Sequence, residues 1–369
     1  VSLAPTTEHD ELRSSLRRFV DDHLGLAHSR AATDGAAFDR TTWRRLADDL
    51  GVIGLAVPDR FGGSGAGWQE LAIVFDETGR TVVPEPLFAT LGLALPVLLA
   101  SDDESVGTYL QGIASGTTIA ALAWTEPGRG WDPRPVVTTG RGDGDGWRID
   151  GEKHLVLGGD VADLLLVTVS TDDGPSVVAV DADAPGVGRR PRRTLDGTRR
   201  AADITFTDAQ ATPIGTTGTG DTIIAEAFDV AAVLLANEMV GGAQACLDMS
   251  VAYGHQRRQF GRPIGSFQAV KHRCAEAFVA IEGARAAARY GAWAADHNPA
   301  ELPVVSTVAK FAAGEAYFRA AADAIQIHGG IGFTWEHDAH LYFKRAKTSL
   351  MYFGESEHQL AHLADLLAI

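Results

Sequence analysis

FDVAAVLLANEMVGGAQACLDMSVAYGHQRRQFGRPIGSFQAVK, residues Phe228–Lys271, decides how the rest of the chain is read. Its first part reads as one long helix, with the carboxylate of Glu238 set inside the apolar run from Leu234 to Val240. A basic turn follows, Arg257-Arg258-Gln259-Phe260-Gly261, and a second helix begins near Ser266. A carboxylate among Leu234, Leu235, Ala236, Met239 and Val240 is costly to ionise, so it must be paired or hold a raised pKa. Glu238 is therefore a candidate proton acceptor, the alternative being a glutamate on the solvent face of an amphipathic helix. Small residues surround it, Ala236, Asn237, Gly241 and Gly242, and imply the close approach of another group.

C-terminal to that stretch the helical pattern continues. Apolar periodicity predicts helices over Asp221 to Gly254, Phe267 to Asp296 and Pro303 to Ile327, then a final helix or pair over Asp338 to Leu367. Long helices carrying many alanines, such as Ala284, Ala286, Ala287 and Ala288, pack closely, and four of them predict a bundle. N-terminal to it the period is 2. Ile119 to Trp124, Gly146 to Ile149, Leu164 to Val169, Ser176 to Val180 and Ala202 to Phe206 are short β-rich runs between Gly, Asp and Pro clusters, and predict a small antiparallel domain. The arginines at 189, 190, 192, 193, 199 and 200 read as a solvated loop, with a phosphate-binding surface as the alternative. Before residue 118 the pattern is helical again, at Glu8 to His23, Thr42 to Leu50, Trp68 to Arg80 and Leu87 to Leu99. The glycines of Val57–Gly65 are turn chemistry, since no Gly-Lys-Ser/Thr follows in the order a phosphate loop requires. The expected fold class is α+β: a helical domain over 1–117, a middle β domain over 118–220 and a C-terminal four-helix bundle over 221–369.

Composition narrows the function. At 369 residues and 45% hydrophobic, the chain can bury a substantial core. A formal net charge of −16 opposes nonspecific attraction to nucleic acid and to anionic membranes, so a polyanionic ligand must be met by a local arginine cluster. No apolar stretch reaches transmembrane length and no leader-like segment opens the chain, so the expected location is the cytoplasm. Cys246 and Cys274 lack metal-ligand spacing and are expected as reduced, packed thiols; no metal site is expected.

Several motifs stand in a shared order. Thr125-Glu126-Pro127-Gly128 is followed by Gly130 and Asp132; Arg257, Phe260 and Gly261 by Phe267-Gln268; and Gln326-Ile327-His328-Gly329-Gly330-Ile331-Gly332-Phe333 by Glu336. In this combination and in its domain order the sequence resembles the acyl-CoA dehydrogenase family over nearly its whole length. The resemblance implies FAD as cofactor and α,β-desaturation of an acyl-CoA substrate. It implies an electron-transfer flavoprotein as acceptor, and a homo- or hetero-oligomer, dimer or tetramer, that shares its flavin sites. It further implies flavin contacts from Leu122, Thr125, Gly128, Arg257, Gln259, Phe260, Gln268, Gln326, Gly329 and Gly330, and a substrate contact from Trp131, which stands where the family often has serine. These roles suit the residues. A guanidinium at 257 can make two charge-assisted bonds to a pyrophosphate, Phe260 offers an apolar face, and glycines at 329 and 330 let backbone approach a ligand.

The resemblance breaks at the base. The family's commonest position for it falls on Phe353, and its alternative on the long helix falls near Ala231 or Ala232; none of these can take a proton. Glu238 lies two turns further along that helix, displaced by roughly 10 Å, which would suit a bulkier acyl group such as a steroid side chain. Glu355, two positions beyond Phe353, is the rival. Leu155, Val156 and Leu157 also replace the family's usual Trp-Ile-Thr/Ser beside the flavin. Two readings remain open from sequence: an acyl-CoA dehydrogenase with Glu238 as base, or a noncatalytic subunit that completes a partner's flavin site. An oxidase reacting directly with oxygen is a lesser option.

Overall fold

Thr6 starts the first helix by a reciprocal cap, its hydroxyl accepting from the His9 N–H while the His9 ring accepts from the Thr6 N–H. The computed structural model describes residues 5–35, 38–143 and 146–369. The helical elements that follow are α1 (Thr7–His23), α2 (Leu26–Thr33), α3 (Arg40–Asp48), α4 (Trp68–Gly79), a π-helical segment (Phe88–Ala94), α5 (Leu95–Ala100) and α6 (Gly107–Ala114). Leu87 to Leu99, expected as one helix, is thus divided; Pro96, in the first turn of α5, lacks the N–H that an uninterrupted α-helix would use. The strands are β1 (Ala120–Ala123), β2 (Thr139–Asp143), β3 (Gly146–Leu157), β4 (Leu164–Thr171), β5 (Gly174–Asp181), β6 (Val187–Arg192) and β7 (Ala201–Ile214). Then come α7 (Gly220–Gln256), the two-residue strands β8 (Arg258–Gln259) and β9 (Arg262–Pro263), α8 (Gln268–His297), α9 (Leu302–His328), α10 (Ala339–Met351) and α11 (Ser356–Leu367). Among the described residues no helix is long and apolar enough to cross a membrane.

The chain forms two compact units. One comprises Ala37–Gly67 and Glu85–Ala231 and holds the sheet. Its strands run β1-β4-β2-β3-β7-β5, and β5 pairs back onto β4, so the sheet closes on itself. Val156, Leu165, Val167, Val178, Ile204 and Phe206 fill the interior. The sheet was expected to be antiparallel, yet β1 pairs β4 in parallel, with Leu122 opposite Leu166. The long excursion through β2 and β3 between them gives room for a crossover that a hairpin cannot make.

The arginine-rich stretch is corrected as well. Arg189, Arg190 and Arg192 lie on β6, paired to β7, rather than in a solvated loop. Asp203, only 3% exposed on β7, requires a countercharge, and Arg190 and Arg192 supply it at 2.8 and 3.4 Å. Arg189 pairs with Asp183 and Arg200 with Asp160, so these cations are already matched by carboxylates.

The other unit comprises Val1–Ala36, Trp68–Pro84 and Ala232–Ile369. Within it α4 and α7 cross at glycines on both sides. A Cβ on Gly241 would stand 1.9 Å from the Asp76 carbonyl oxygen, and one on Gly79 would stand 2.1 Å from that of Glu238. Gly242 lies against the Tyr317 ring of α9, where a Cβ would come within 2.5 Å. The group that approaches the small residues around Glu238 is therefore helix backbone and an aromatic side chain of the chain itself.

Candidate functional site

Glu238 lies inside the helical unit, 6% exposed. Its carboxylate accepts from the Arg345 guanidinium of α10 at 2.7 Å, with both side chains almost wholly covered (7% and 3% exposed). Arg345 also donates to the carbonyls of Val82 and Val83, at 3.4 and 3.3 Å, and Tyr342 one turn earlier donates to the Arg80 carbonyl at 2.6 Å. Of the two solutions open to a carboxylate in such surroundings, the structure shows the pair. That pair fastens α7 and α10 to the segment after α4.

Glu355 stands at the N-cap of α11, with 59% of its side chain exposed and its carboxylate 3.1 Å from Lys347. Phe353, at the vacated base position, has φ +59°, and its carbonyl accepts from Gln359. The turn around it is clamped by Lys310, fully buried on α9, whose Nζ donates to the carbonyls of Leu350 and Gly354 at 3.0 and 3.3 Å. Burial pushes Lys310 down to about 8, against the pull of Glu315 and Glu355. Sequence reasoning missed this lysine, although its place between Ala309 and Phe311 on an apolar helix was a signal of the same kind as that of Glu238. Ala231 and Ala232 are buried on α7.

The remaining residues expected in this unit come together at one end of it. The Tyr253 ring, one turn before α7 ends, stacks on His328, the last residue of α9, at 4.3 Å. The β8–β9 hairpin and the turn after α9 therefore project from the same end. Phe260 and Gly261 form the hairpin tip with φ +53° and +76°, and the Arg262 guanidinium lies 4.1 Å over the Phe267 ring. Arg257, Gln259, Gln268, Gln326, Gly329 and Gly330 are all exposed, and Phe260 is 90%, Phe333 85% and Trp335 72% exposed. The Arg257 guanidinium has no hydrogen-bond or ion-pair partner among the described residues. Gly329, with φ +62°, and Gly330 have open space where a Cβ would stand. An unpaired guanidinium, an uncovered aromatic face and exposed glycine backbone with no Cβ in the way fit the adenosine diphosphate end of FAD.

In the sheet unit, the Thr125 hydroxyl donates to the His154 carbonyl, and the His154 N–H returns a bond to the Thr125 carbonyl at 2.8 Å. Glu126, quoted above only as part of a motif and given no role of its own, organises the loop that follows. It accepts from the N–H groups of Val137 and Thr138, at 2.8 and 2.9 Å, and from Lys153, itself fully buried, at 2.7 Å. Burial works to raise the Glu126 carboxyl, but the Lys153 and backbone bonds outweigh it and hold the group below the usual carboxylate range. Burial pushes Lys153 down to about 8 against the attraction of Glu126. Gly128 is exposed at φ +73°, and the half-buried Trp131 ring lies 5.7 Å from Trp124. Leu122 is wholly buried in β1, so its side chain faces the protein interior rather than a ligand. Leu155, at a strand irregularity with φ +48°, is 39% exposed, whereas Val156 and Leu157 are buried.

Comparison with known proteins gives matches along the chain. The family profiles for the acyl-CoA dehydrogenase N-terminal, middle and C-terminal domains match residues 6–117, 121–209 and 218–368. The acyl-CoA dehydrogenase IpdE2 of Mycobacterium tuberculosis is 37% identical, over 94% of this chain and 93% of its own length. Among solved structures, a single-residue variant of the Tcur3481-Tcur3483 steroid ACAD is 32% identical with a TM-score of 0.88, covering 98% of each chain. The ChsE4-ChsE5 complex of Mycobacterium tuberculosis is 27% identical with a TM-score of 0.90, over 100% of this chain and 99% of the other.

Proposed function

Because the chain belongs to the acyl-CoA dehydrogenase family, we propose that it works in FAD-dependent α,β-dehydrogenation of an acyl-CoA thioester as one subunit of a mixed assembly. In that assembly its Arg257–Gly261 turn completes a flavin site whose proton acceptor belongs to a partner chain. One observation carries this reading: Arg257, Phe260, Gln326, Gly329 and Gly330 stand uncovered together at one end of the helical unit, while Glu238 is engaged by Arg345. Two of the similar structures bear the names of two-component proteins, and one is described as a steroid enzyme. The same substrate class, a bulky steroid-derived acyl group, is proposed here, with an electron-transfer flavoprotein as acceptor in the cytoplasm.

FAD would supply the hydride acceptor. The protein's part is to hold it and orient the thioester. Arg257 would form charge-assisted bonds to the pyrophosphate, Phe260 would cover an aromatic ring, and the backbone of Gly329 and Gly330 would admit the adenosine. Thr125, whose hydroxyl hydrogen is directed at His154, keeps its oxygen lone pairs for an N–H donor. A base must reach the α-proton of its substrate, and a carboxylate bonded to a buried guanidinium must first give up that partner.

The second reading keeps Glu238 as the base, favoured by its being a buried carboxylate on the family's alternative base-bearing helix. The two are separated by purifying the chain alone and together with acyl-CoA dehydrogenase chains of its own genome, then adding acyl-CoA anaerobically. The proposal expects a colourless protein alone, a yellow complex with a partner, and bleaching that survives Glu238→Gln in the complex. A chain that is yellow by itself, bleaches with substrate and loses bleaching in Glu238→Gln with its flavin retained establishes the second reading instead. Peroxide released during turnover in air would point to the oxidase.

A further inference from the structure

The chain leaves β1 at Ala123 and re-enters the sheet at Thr139, the first residue of β2, by way of a loop over 127–136. That loop carries Gly128 and Trp131, expected at the flavin and at the substrate. Two bonds inside it are local, from the Arg129 N–H to the Glu126 carbonyl at 3.2 Å and from the Arg134 N–H to the Asp132 carboxylate at 2.9 Å. Its neck is held more firmly. One Glu126 oxygen accepts from the Val137 N–H, and the other from the Thr138 N–H and from Lys153, so a single carboxylate joins the two ends of the loop. The Thr138 carbonyl in turn accepts from the Ser170 N–H of β4 at 2.8 Å, and a Cβ on Gly151 of β3 would come within 2.8 Å of the Thr138 Cα.

Lys153 makes that junction depend on charge. Wholly buried, it donates to Glu126 at 2.7 Å and to the Thr168 hydroxyl of β4 at 2.9 Å, while β7 sets Ile204 opposite it. The carboxylates next in sequence, Glu152 on β3 and Asp203 on β7, are bonded to His154 and to Arg190. Glu126 is thus the anion that answers the buried ammonium, and either charge left without the other is costly. Within the loop the Trp131 ring lies 5.7 Å from Trp124, itself 2% exposed, so a neck that shifts draws Trp131 away from a packed neighbour.

We propose that Glu126 and Lys153 are positioning residues for the acyl thioester: their buried pair fixes the neck of the 127–136 loop and holds Trp131 in its binding place only while both charges are present. The inference rests on the proposed function, since it takes this loop as a wall of the thioester site. Burial sets Lys153 at about 8, whereas Glu126 is held below the usual carboxylate range and stays ionised. Below about pH 8 the pair is therefore complete, and above it the amine is neutral and the carboxylate has lost its countercharge.

The test is fluorine NMR of the whole chain labelled with 5-fluorotryptophan, the Trp131 resonance being assigned from Trp131→Phe. In the natural protein that resonance should move toward its solvent-exposed position as pH rises through about 8. In Lys153→Met and Glu126→Gln it should stand near that position at every pH. Lys310 titrates in the same range, and Lys310→Met should leave the Trp131 transition in place. Trp43, wholly buried elsewhere in the same unit, should keep its resonance throughout, which identifies a variant that has lost its fold. In the FAD-loaded complex with a partner chain, Glu126→Gln should weaken binding of the steroid thioester cholyl-CoA about tenfold, the worth of a lost preorganised contact, with FAD affinity unchanged. A Trp131 resonance indifferent to pH and to Glu126→Gln overturns the positioning role, as does cholyl-CoA affinity unchanged in Glu126→Gln. A natural complex that holds FAD and binds no cholyl-CoA overturns instead the proposed substrate class, whatever the Trp131 resonance does.

Discussion

At Glu238 and Arg345, two charges are withdrawn from water and answer one another at 2.7 Å. Removing one partner of such a pair strands the other. Glu238→Gln should destabilise the protein by about 3 kcal/mol, whereas the double change Glu238→Leu with Arg345→Met should regain most of that loss, because a buried pair replaced by apolar groups is often neutral. Urea denaturation of the single and double variants measures both. If Glu238→Gln is as stable as the natural protein, the pair does not fasten these helices. A second prediction concerns Lys310, whose folded value of about 8 lies below its unfolded 10.5. Between those two pH values the unfolded chain holds a proton that the folded chain has released, so Lys310 makes stability rise with pH, by up to about 1.4 kcal/mol per pH unit. Lys310→Met should reduce that slope whatever it does to stability at pH 7, and denaturation at several pH values from 8 upward reads it. Sequence marked Glu238 as anomalous but could not name its partner. Arg345 lies 107 residues away, and no local pattern links a helix in one part of the chain to the countercharge on another.

At the scale of elements, the glycines show what periodicity conveys and what it omits. The long helices α7, α8 and α9 were legible because their apolar residues recur at helical spacing over many turns, far beyond the length at which strand and helix are confused. The glycines inside them read as a sign of close approach without saying what approaches. Gly241 answers that at the α4–α7 crossing, where an added Cβ would meet the Asp76 carbonyl oxygen at 1.9 Å. Gly241→Ala should therefore destabilise the protein by about 1–3 kcal/mol through forced separation of the helices. Gly283, on the exposed face of α8, has nothing within 4 Å of such a Cβ. Gly283→Ala should stabilise by about 0.5–1 kcal/mol, the ordinary gain of alanine over glycine within a helix. Thermal melts of the two variants should shift in opposite directions; a shift in the same direction would mean that the crossing is not held by glycine. The arginine-rich β6 escaped sequence reading for a different reason. Its side chains are charged because its neighbour carries the buried Asp203, a pairing that strand propensity does not register.

For the molecule as a whole, motif order conveyed more about the candidate site than any single motif. Arg257 and Gly329 are distant in sequence, and the stack of Tyr253 on His328 brings their turns to one end of the helical unit. What sequence could not convey is that this end stays bare: Phe260, Phe333 and Trp335 are among the most exposed large side chains of the chain. Apolar surface of that kind on a folded protein marks a place where something else binds. The proposed occupant is the flavin of an assembled partner, and it makes a specific demand of Arg257. Its guanidinium bonds to nothing else among the described residues, so Arg257→Gln should leave the melting temperature of the cofactor-free chain unchanged, within the small effects usual for surface substitutions. In the reconstituted complex the same substitution should weaken FAD binding by about ten- to a hundredfold, the worth of charge-assisted bonds to a phosphate. Flavin fluorescence on titration of FAD into the complex measures the affinity, and sedimentation velocity shows whether assembly is intact. Unchanged affinity with assembly intact would remove the arginine turn from the flavin site, and weakened assembly at unchanged affinity would make that turn a protein contact instead.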